Sequence, residues 1–161
     1  MNATDQPYML DTTEFNYLLD GKITASSFAG RRLLVTGIQV AELRATKSAS
    51  RRECLLAVFE QVGPTVELAS SFALDIEGAG LDQAYWNDGS GTVERMLKRL
   101  QELDPSSKDP RNQWRDILIA ETAIKNDAIL ISHDENLRKV VSEFGGQSTA
   151  LSPQEIAEKE T

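Results

Sequence analysis

Apolar residues in this chain follow two patterns. Short uncharged runs occur at Tyr8-Met9-Leu10, at Leu33 to Thr36 within RRLLVTG, and at Ala128 to Ser132 (AILIS). Such runs, bounded by turn signals, suit strands buried on both faces, as in a parallel sheet under helices. Elsewhere apolar residues recur at helical spacing. EFNYLLDG predicts a helix capped by Thr12 or Thr13 and stopped at Gly21, and IQVAELRATK predicts a second. SASRRECLLAVFEQVG predicts a third, with Ser48 or Ser50 as cap, Gly63-Pro64 as stop, and Leu55, Val58, Phe59 and Val62 facing the core. Thr92 to Leu103 predicts another, with Val93, Met96, Leu97 and Leu100 inward and Arg95, Lys98 and Arg99 outward.

Three stretches read differently. TVELASSFALDI alternates around Phe72, Leu74 and Ile76, which predicts a strand, and GAGLDQAYWNDGSG reads as loop. DPSSKDPRN is a further loop before a helix that Asp116 opens, where the free N–H groups favour a carboxylate. ENLRKVVSEFGG predicts a helix capped by Glu135 or Asn136, QSTAL a last strand, and SPQEIAEKE a short charged tail. Strand and helix alternate throughout. The expected fold class is therefore α/β, with a mainly parallel central sheet flanked by helices.

Composition narrows the class. A chain of 161 residues, 40% hydrophobic and 26% charged, is expected to form one globular domain with a full core. A net charge of −8 disfavours a general nucleic-acid coat protein, although bound divalent cations would invert the field at a nuclease site. The single cysteine, Cys54, allows no internal disulfide and reads as small packing on its helix. With no signal-peptide pattern and no membrane-length apolar run, a cytoplasmic location is expected.

Four acids stand out against this background. Asp11 and Asp134 follow buried strands, at the sheet edge where open α/β folds bind ligands, although Asp11 reads equally well as a helix N-cap. Glu42 shares a helical face with Ile38 and Ala45, and Asp116 shares one with Ala120 and Ala123, so both point inward. Converged carboxylates repel unless cations neutralise them, and hard oxygen ligands suit Mg2+ or Mn2+. That combination points to metal-assisted phosphoryl chemistry. Arg44, Lys47, Arg51 and Arg52 form a basic patch near Glu42, and Arg115 precedes Asp116. Arg44, Lys47, Arg51 and Arg115 are the candidate phosphate contacts, with a solvated face as the plainer reading of the patch. Tyr85 and Trp86 are candidates for base stacking, with packing the plainer reading.

The order DTT at 11–13, VAEL at 40–43, DILIAETA at 116–123 and LISHD at 130–134 resembles the PIN-domain nuclease family, most closely its VapC-type ribonuclease toxins. The resemblance spans about residues 8–150, and DILIAETA with LISHD is its specific part. Position by position it implies Asp11, Glu42, Asp116 and Asp134 as the catalytic and metal-ligating set, with Thr12 and Ser132 in support. It further implies a PIN-like fold that hydrolyses RNA with Mg2+ or Mn2+, a homodimer, and a small antitoxin partner of the type II kind. The segment of about 64–110 is longer than in compact members of the family, and Asp134 matches the family's more variable acid.

Other chemistry is weaker. His133, the only histidine, reads as a variable residue between Ser132 and Asp134, and no Ser–His–Asp triad is apparent. An aspartyl-phosphate enzyme would want an acid at Thr13, and no glycine-rich phosphate loop is present. Glu121 and Asp127 read as border and turn residues, and Asn136 is placed to contact a metal-bound water. The competing functions are a PIN-fold binding module with weak or no catalysis, and a structure-specific DNA nuclease.

Overall fold

A computed structural model describes residues 6–159 except 72, 74, 81, 83, 86, 87 and 108. Five parallel strands form one sheet: β1 (Tyr8–Leu10), β2 (Leu33–Thr36), β3 (Thr65–Glu67), β4 (Ile129–Ile131) and β5 (Gln147–Thr149). Their order is β3-β2-β1-β4-β5, with Tyr8 opposite both Leu33 and Ile129. The chain winds outward from β1 to β3, then crosses back to β4 and winds the other way. The switch in direction therefore falls between β1 and β4.

Alternation along each strand divides the core in two. Met9, Leu34 and Leu130 face a cluster completed by α4 (Thr92–Leu103), α5 (Pro110–Lys125) and α6 (Glu135–Glu143). Tyr8, Leu10, Leu33, Val35 and Ile131 face the opposite cluster. There they meet α1 (Thr12–Leu19), a 3-10 turn (Ala25–Phe28) and α3 (Ala49–Val62). Helix α2 (Gly37–Arg44) contributes to both, Ile38 to the first cluster and Leu43 to the second. This two-sided cover explains the uncharged runs: a strand buried on both faces has no solvent side on which to carry polar residues. No helix among the described residues is long and apolar enough to cross a membrane.

Several local expectations are corrected. Helix α5 begins at Pro110 with Asp109 as its cap, so Asp116 lies in the second turn rather than at the opening. Proline fits the first helical turn because its missing N–H would have no partner there. The strand expected over 65–76 ends at Glu67; Ile76 is buried within a turn, and Phe72, Leu74, Trp86 and Asn87 lie outside the described residues. The charged tail instead forms α7 (Pro153–Lys159), which packs Ile156 on the second cluster. Cys54 is exposed rather than packed, and of the α3 stripe only Leu55 is fully buried. Glu121 is 2% exposed: it accepts from Ser71 Oγ at 2.9 Å and pairs with Lys125 Nζ at 2.9 Å. Together with the Ser70 N–H donating to Thr122 Oγ1 at 3.0 Å, these bonds fasten the segment after β3 to α5.

That segment also meets the start of α2 backbone to backbone. Gly78 adopts φ +91°, and a Cβ there would lie 2.2 Å from the Gly37 carbonyl carbon. Gly89 also has positive φ, at +75°, but nothing lies within 4 Å of its Cβ position. Gly78→Ala is therefore expected to destabilise the chain by about 3 kcal/mol, combining left-handed strain with a backbone clash. Gly89→Ala should cost only about 1 kcal/mol, from strain alone. Urea unfolding of the two variants checks the difference; equal costs would refute the close approach.

Candidate active site

Because every strand is parallel, all strand exits lie on one edge of the sheet, and the exits of β1 and β4 flank the switch point. Asp11 leaves β1 there and caps α1. Its backbone N–H donates to Ile131 O at 3.0 Å. Its carboxylate is held at both oxygens: the Thr12 N–H donates to Oδ1 at 2.8 Å, and Ser132 Oγ donates to Oδ2 at 2.8 Å. Ser132 Oγ in turn accepts the Asp134 N–H at 3.1 Å, so one hydroxyl ties the exits of both strands together. Asp134 caps α6, accepting from the Asn136 and Leu137 N–H groups through Oδ1. The caps are thus Asp11 and Asp134, not Thr12, Thr13, Glu135 or Asn136. A carboxylate accepts from free N–H groups at a helix start and also meets the dipole there.

Glu42 comes from α2, and Thr12 Oγ1 donates to its Oε2. Its placement depends on a buried residue that the sequence reading did not single out. Gln39 forms a capping box with Thr36, whose N–H donates to Gln39 Oε1 at 2.8 Å, and Gln39 Nε2 donates to Leu10 O at 3.0 Å. This stitches the start of α2 to the end of β1. The T-x-x-Q spacing at 36–39 is a legible capping-box signal. Asp116 reaches the site from α5, and no hydrogen bond from a described residue meets its carboxylate.

The four acids sense one another. Burial raises the Asp116 carboxyl first; Asp11, Glu42 and Asp134 raise it further, to about 8, against a partial lowering by Arg115. Burial also raises Asp11, and Ser132 and Thr12 oppose it. Glu42 is raised by burial and lowered by its bond from Thr12. An all-oxygen, anionic donor set of this kind suits a hard divalent cation. The set is open, however: among the described residues no three His, Cys, Asp or Glu side chains stand close enough together to hold a metal ion.

The remaining candidates separate. Arg115 lines a hollow of about 240 Å3 with Ala41, Glu42, Ala45 and Glu77, next to the acids. Arg51 is committed elsewhere, to Asn16 Oδ1 at 2.8 Å and Asp20 Oδ1 at 3.2 Å, and Arg52 donates to Thr46 O. Arg44 and Lys47 are exposed, as is Tyr85 at 63%. His133 is more than a spacer between Ser132 and Asp134. Its Nδ1 lies 2.8 Å from Oε1 of Glu14, a fully buried carboxylate that also accepts the His133 backbone N–H at 3.2 Å. Glu14 stands three residues after the Asp11 cap, a spacing the sequence displays but whose partner across the sheet edge it does not.

No protein-family profile matches the chain, and no curated protein matches it.

The raised Asp116 carboxyl has a consequence for stability. Between its ordinary value of 3.8 and about 8, the folded chain holds a proton that the unfolded chain has released. Metal-free stability should therefore be greatest in mild acid and fall as pH rises through that window. Asp116→Asn should flatten the fall, raising the melting temperature at about pH 8 by roughly 2–4 °C for each kcal/mol recovered and changing little below about pH 4. Thermal melts across pH check this; parallel curves for the two proteins would refute it.

Proposed function

We propose that this chain is a metal-dependent endoribonuclease of the PIN kind, hydrolysing RNA phosphodiester bonds at Mg2+ or Mn2+ held by Asp11, Glu42, Asp116 and Asp134. One observation carries the reading: a carboxyl on α5, raised first by burial, is raised further by three acids from separate elements, at the switch point of a parallel sheet. A scaffold gains nothing from such repulsion, whereas a cation would relieve it. When bound, the ion would supply water activation and charge stabilisation at the leaving oxygen. The chain's own residues prepare the site. Ser132 and Thr12 fix the orientations of Asp11 and Glu42, Asp134 has Oδ2 free of the cap, and Arg115 offers a guanidinium for a phosphate entering beside Glu42. Arg44 and Lys47, both exposed, are the further candidates for contact with the RNA backbone, and Asn136, two residues after Asp134, for contact with a metal-bound water.

A second reading, a PIN-fold binding module with weak or no catalysis, draws on the open spacing of the acids. A DNA substrate is the third. Toxin activity, an antitoxin partner and homodimerisation extend the resemblance carried by DILIAETA and LISHD. They predict growth arrest on expression that Asp116→Asn relieves.

End-labelled RNAs and matching DNAs, incubated with Mn2+, Mg2+ or EDTA, test the activity directly. The expected outcome is metal-dependent RNA cleavage that Asp11→Asn and Asp116→Asn each reduce by about 100-fold or more. Cleavage surviving both substitutions would sink the assignment. Separately, Mn2+ at 100 times its dissociation constant should stabilise the chain by about 2.7 kcal/mol, an effect that Asp11→Asn diminishes. Absence of any Mn2+ effect on the melting temperature would favour the binding module.

A further inference from the structure

The exit of β4 passes from strand to helix within three residues, and each N–H of that turn has a partner. The Ser132 N–H donates to Thr149 O at 3.0 Å, and the Asp134 N–H donates to Ser132 Oγ at 3.1 Å. The N–H between them, that of His133, crosses the sheet edge to Oε1 of Glu14 at 3.2 Å. Two consecutive residues of the turn are thus tied to two residues one helical turn apart near the start of α1. Ser132 Oγ donates to Asp11 Oδ2 at 2.8 Å, and the His133 N–H donates to Glu14.

Glu14 occupies a costly position for this one contact. It stands three residues after the Asp11 cap, where a glutamate ordinarily reaches back to the N–H of the cap residue. Here that N–H is taken, since Asp11 donates it to Ile131 O at 3.0 Å. Glu14 turns toward β4 instead and is fully buried. Removing a carboxyl from water is unfavourable, and burial raises this one against the opposing bonds from His133. An apolar side chain would fill the same space without that cost, as Phe15 and Leu18 do on the same helix. What the carboxyl provides is a hold on the residue directly before Asp134. Asp134 is itself exposed, and its carboxylate is held through Oδ1 by the cap bonds from the Asn136 and Leu137 N–H groups. The direction of Oδ2 therefore follows the backbone of the turn.

We propose that Glu14 is a positioning residue for Asp134: through the His133 backbone N–H it holds the 132–134 turn so that Asp134 presents Oδ2 to the candidate metal site. The inference deepens the nuclease reading and rests on it for the ion. The imidazole plays no part in it. A backbone N–H donates whatever the charge or tautomer of the ring, and an ionised or a neutral carboxyl equally offers an oxygen to accept it.

Three substitutions isolate the contact. Glu14→Met keeps the length of the buried side chain and removes the acceptor; Glu14→Gln keeps an oxygen acceptor and removes the charge; His133→Ala removes the ring and keeps the N–H. Amide exchange in the metal-free, full-length protein, followed by NMR, reads the turn directly. In the unsubstituted chain the His133 N–H, although on an exposed residue, is expected to exchange about 100-fold more slowly than an unprotected amide. Glu14→Met should speed exchange at His133 and Asp134 by about tenfold relative to Met9 and Leu34 in the core, which separates a loosened turn from a loosened fold. The second readout is the Mn2+ dissociation constant, from the loss of the paramagnetic resonance signal of the free ion. Glu14→Met should weaken Mn2+ by about tenfold, while Glu14→Gln and His133→Ala stay within about threefold. With Asp134→Asn already in place, which keeps the α6 cap, Glu14→Met should weaken Mn2+ by less than about twofold more. Rapid exchange of the His133 N–H in the unsubstituted chain, a turn that Glu14→Met leaves unchanged, equal losses in Glu14→Met and Glu14→Gln, or a full loss persisting beside Asp134→Asn would each overturn the proposal. Failure of the unsubstituted chain to bind Mn2+ is the separate mark of a failed nuclease reading, which takes the positioning role with it.

Discussion

The placement of β1 between β2 and β4 is the constraint on which the rest depends. A strand with parallel neighbours on both sides has no free edge, and helices cover both of its faces, so Met9 and Leu10 are wholly buried. The chain can leave such a strand only at its carboxyl end. Whatever stands there lies beside the equivalent exit of β4, although more than a hundred residues separate them in sequence. The bond from Ser132 Oγ to Asp11 is the chemical expression of that topology. It joins residues that only a crossover between β3 and β4 brings together.

From this junction the site is built outward by a small number of buried polar contacts. Gln39 fixes α2 to the end of β1, which sets where Glu42 falls relative to Asp11. Glu121, Thr122 and Lys125 fasten the segment after β3 to the outer part of α5, and the Gly37–Gly78 approach fastens it to α2. Asp116 is half-buried on α5, one residue before its buried stretch Ile117 to Ala123. No described residue donates a hydrogen bond to its carboxyl, and burial raises it. Three like charges face it, and the Arg115 guanidinium offsets them only in part.

Much of this architecture was legible in the sequence because two-sided burial leaves a plain mark. The uncharged runs at 8–10, 33–36 and 128–132 located the three central strands, and helix 92–103 was read at its true limits. The errors lie where local signals compete. At 65–76 alternation suggested a long strand, yet β3 is an edge strand of three residues, and burial of Ile76 in a turn produced the same pattern. The start of α5 was placed at the candidate acid Asp116, when Asp109-Pro110 is the stronger local signal. Of the candidate site, the four acids were singled out by type and phase, and Asp11, Glu42 and Asp134 stand near enough to Asp116 to raise its carboxyl. Gln39 and Glu14 were not singled out, because their partners, Leu10 O and His133, are distant in sequence and nothing in the local pattern names them.

Asp11 and Asp134 have two occupations, since each holds a helix start as well as facing the candidate site, whereas Glu42 and Asp116 end no helix. Selection for folding alone would therefore preserve the first pair and be indifferent to the second. If the proposed chemistry is the chain's own, positions 42 and 116 would drift first in a lineage that abandoned it. At 116 the drift would bring relief from repulsion, and an inactive descendant would be recognisable as a more stable protein that still carries half of its ancestral acids.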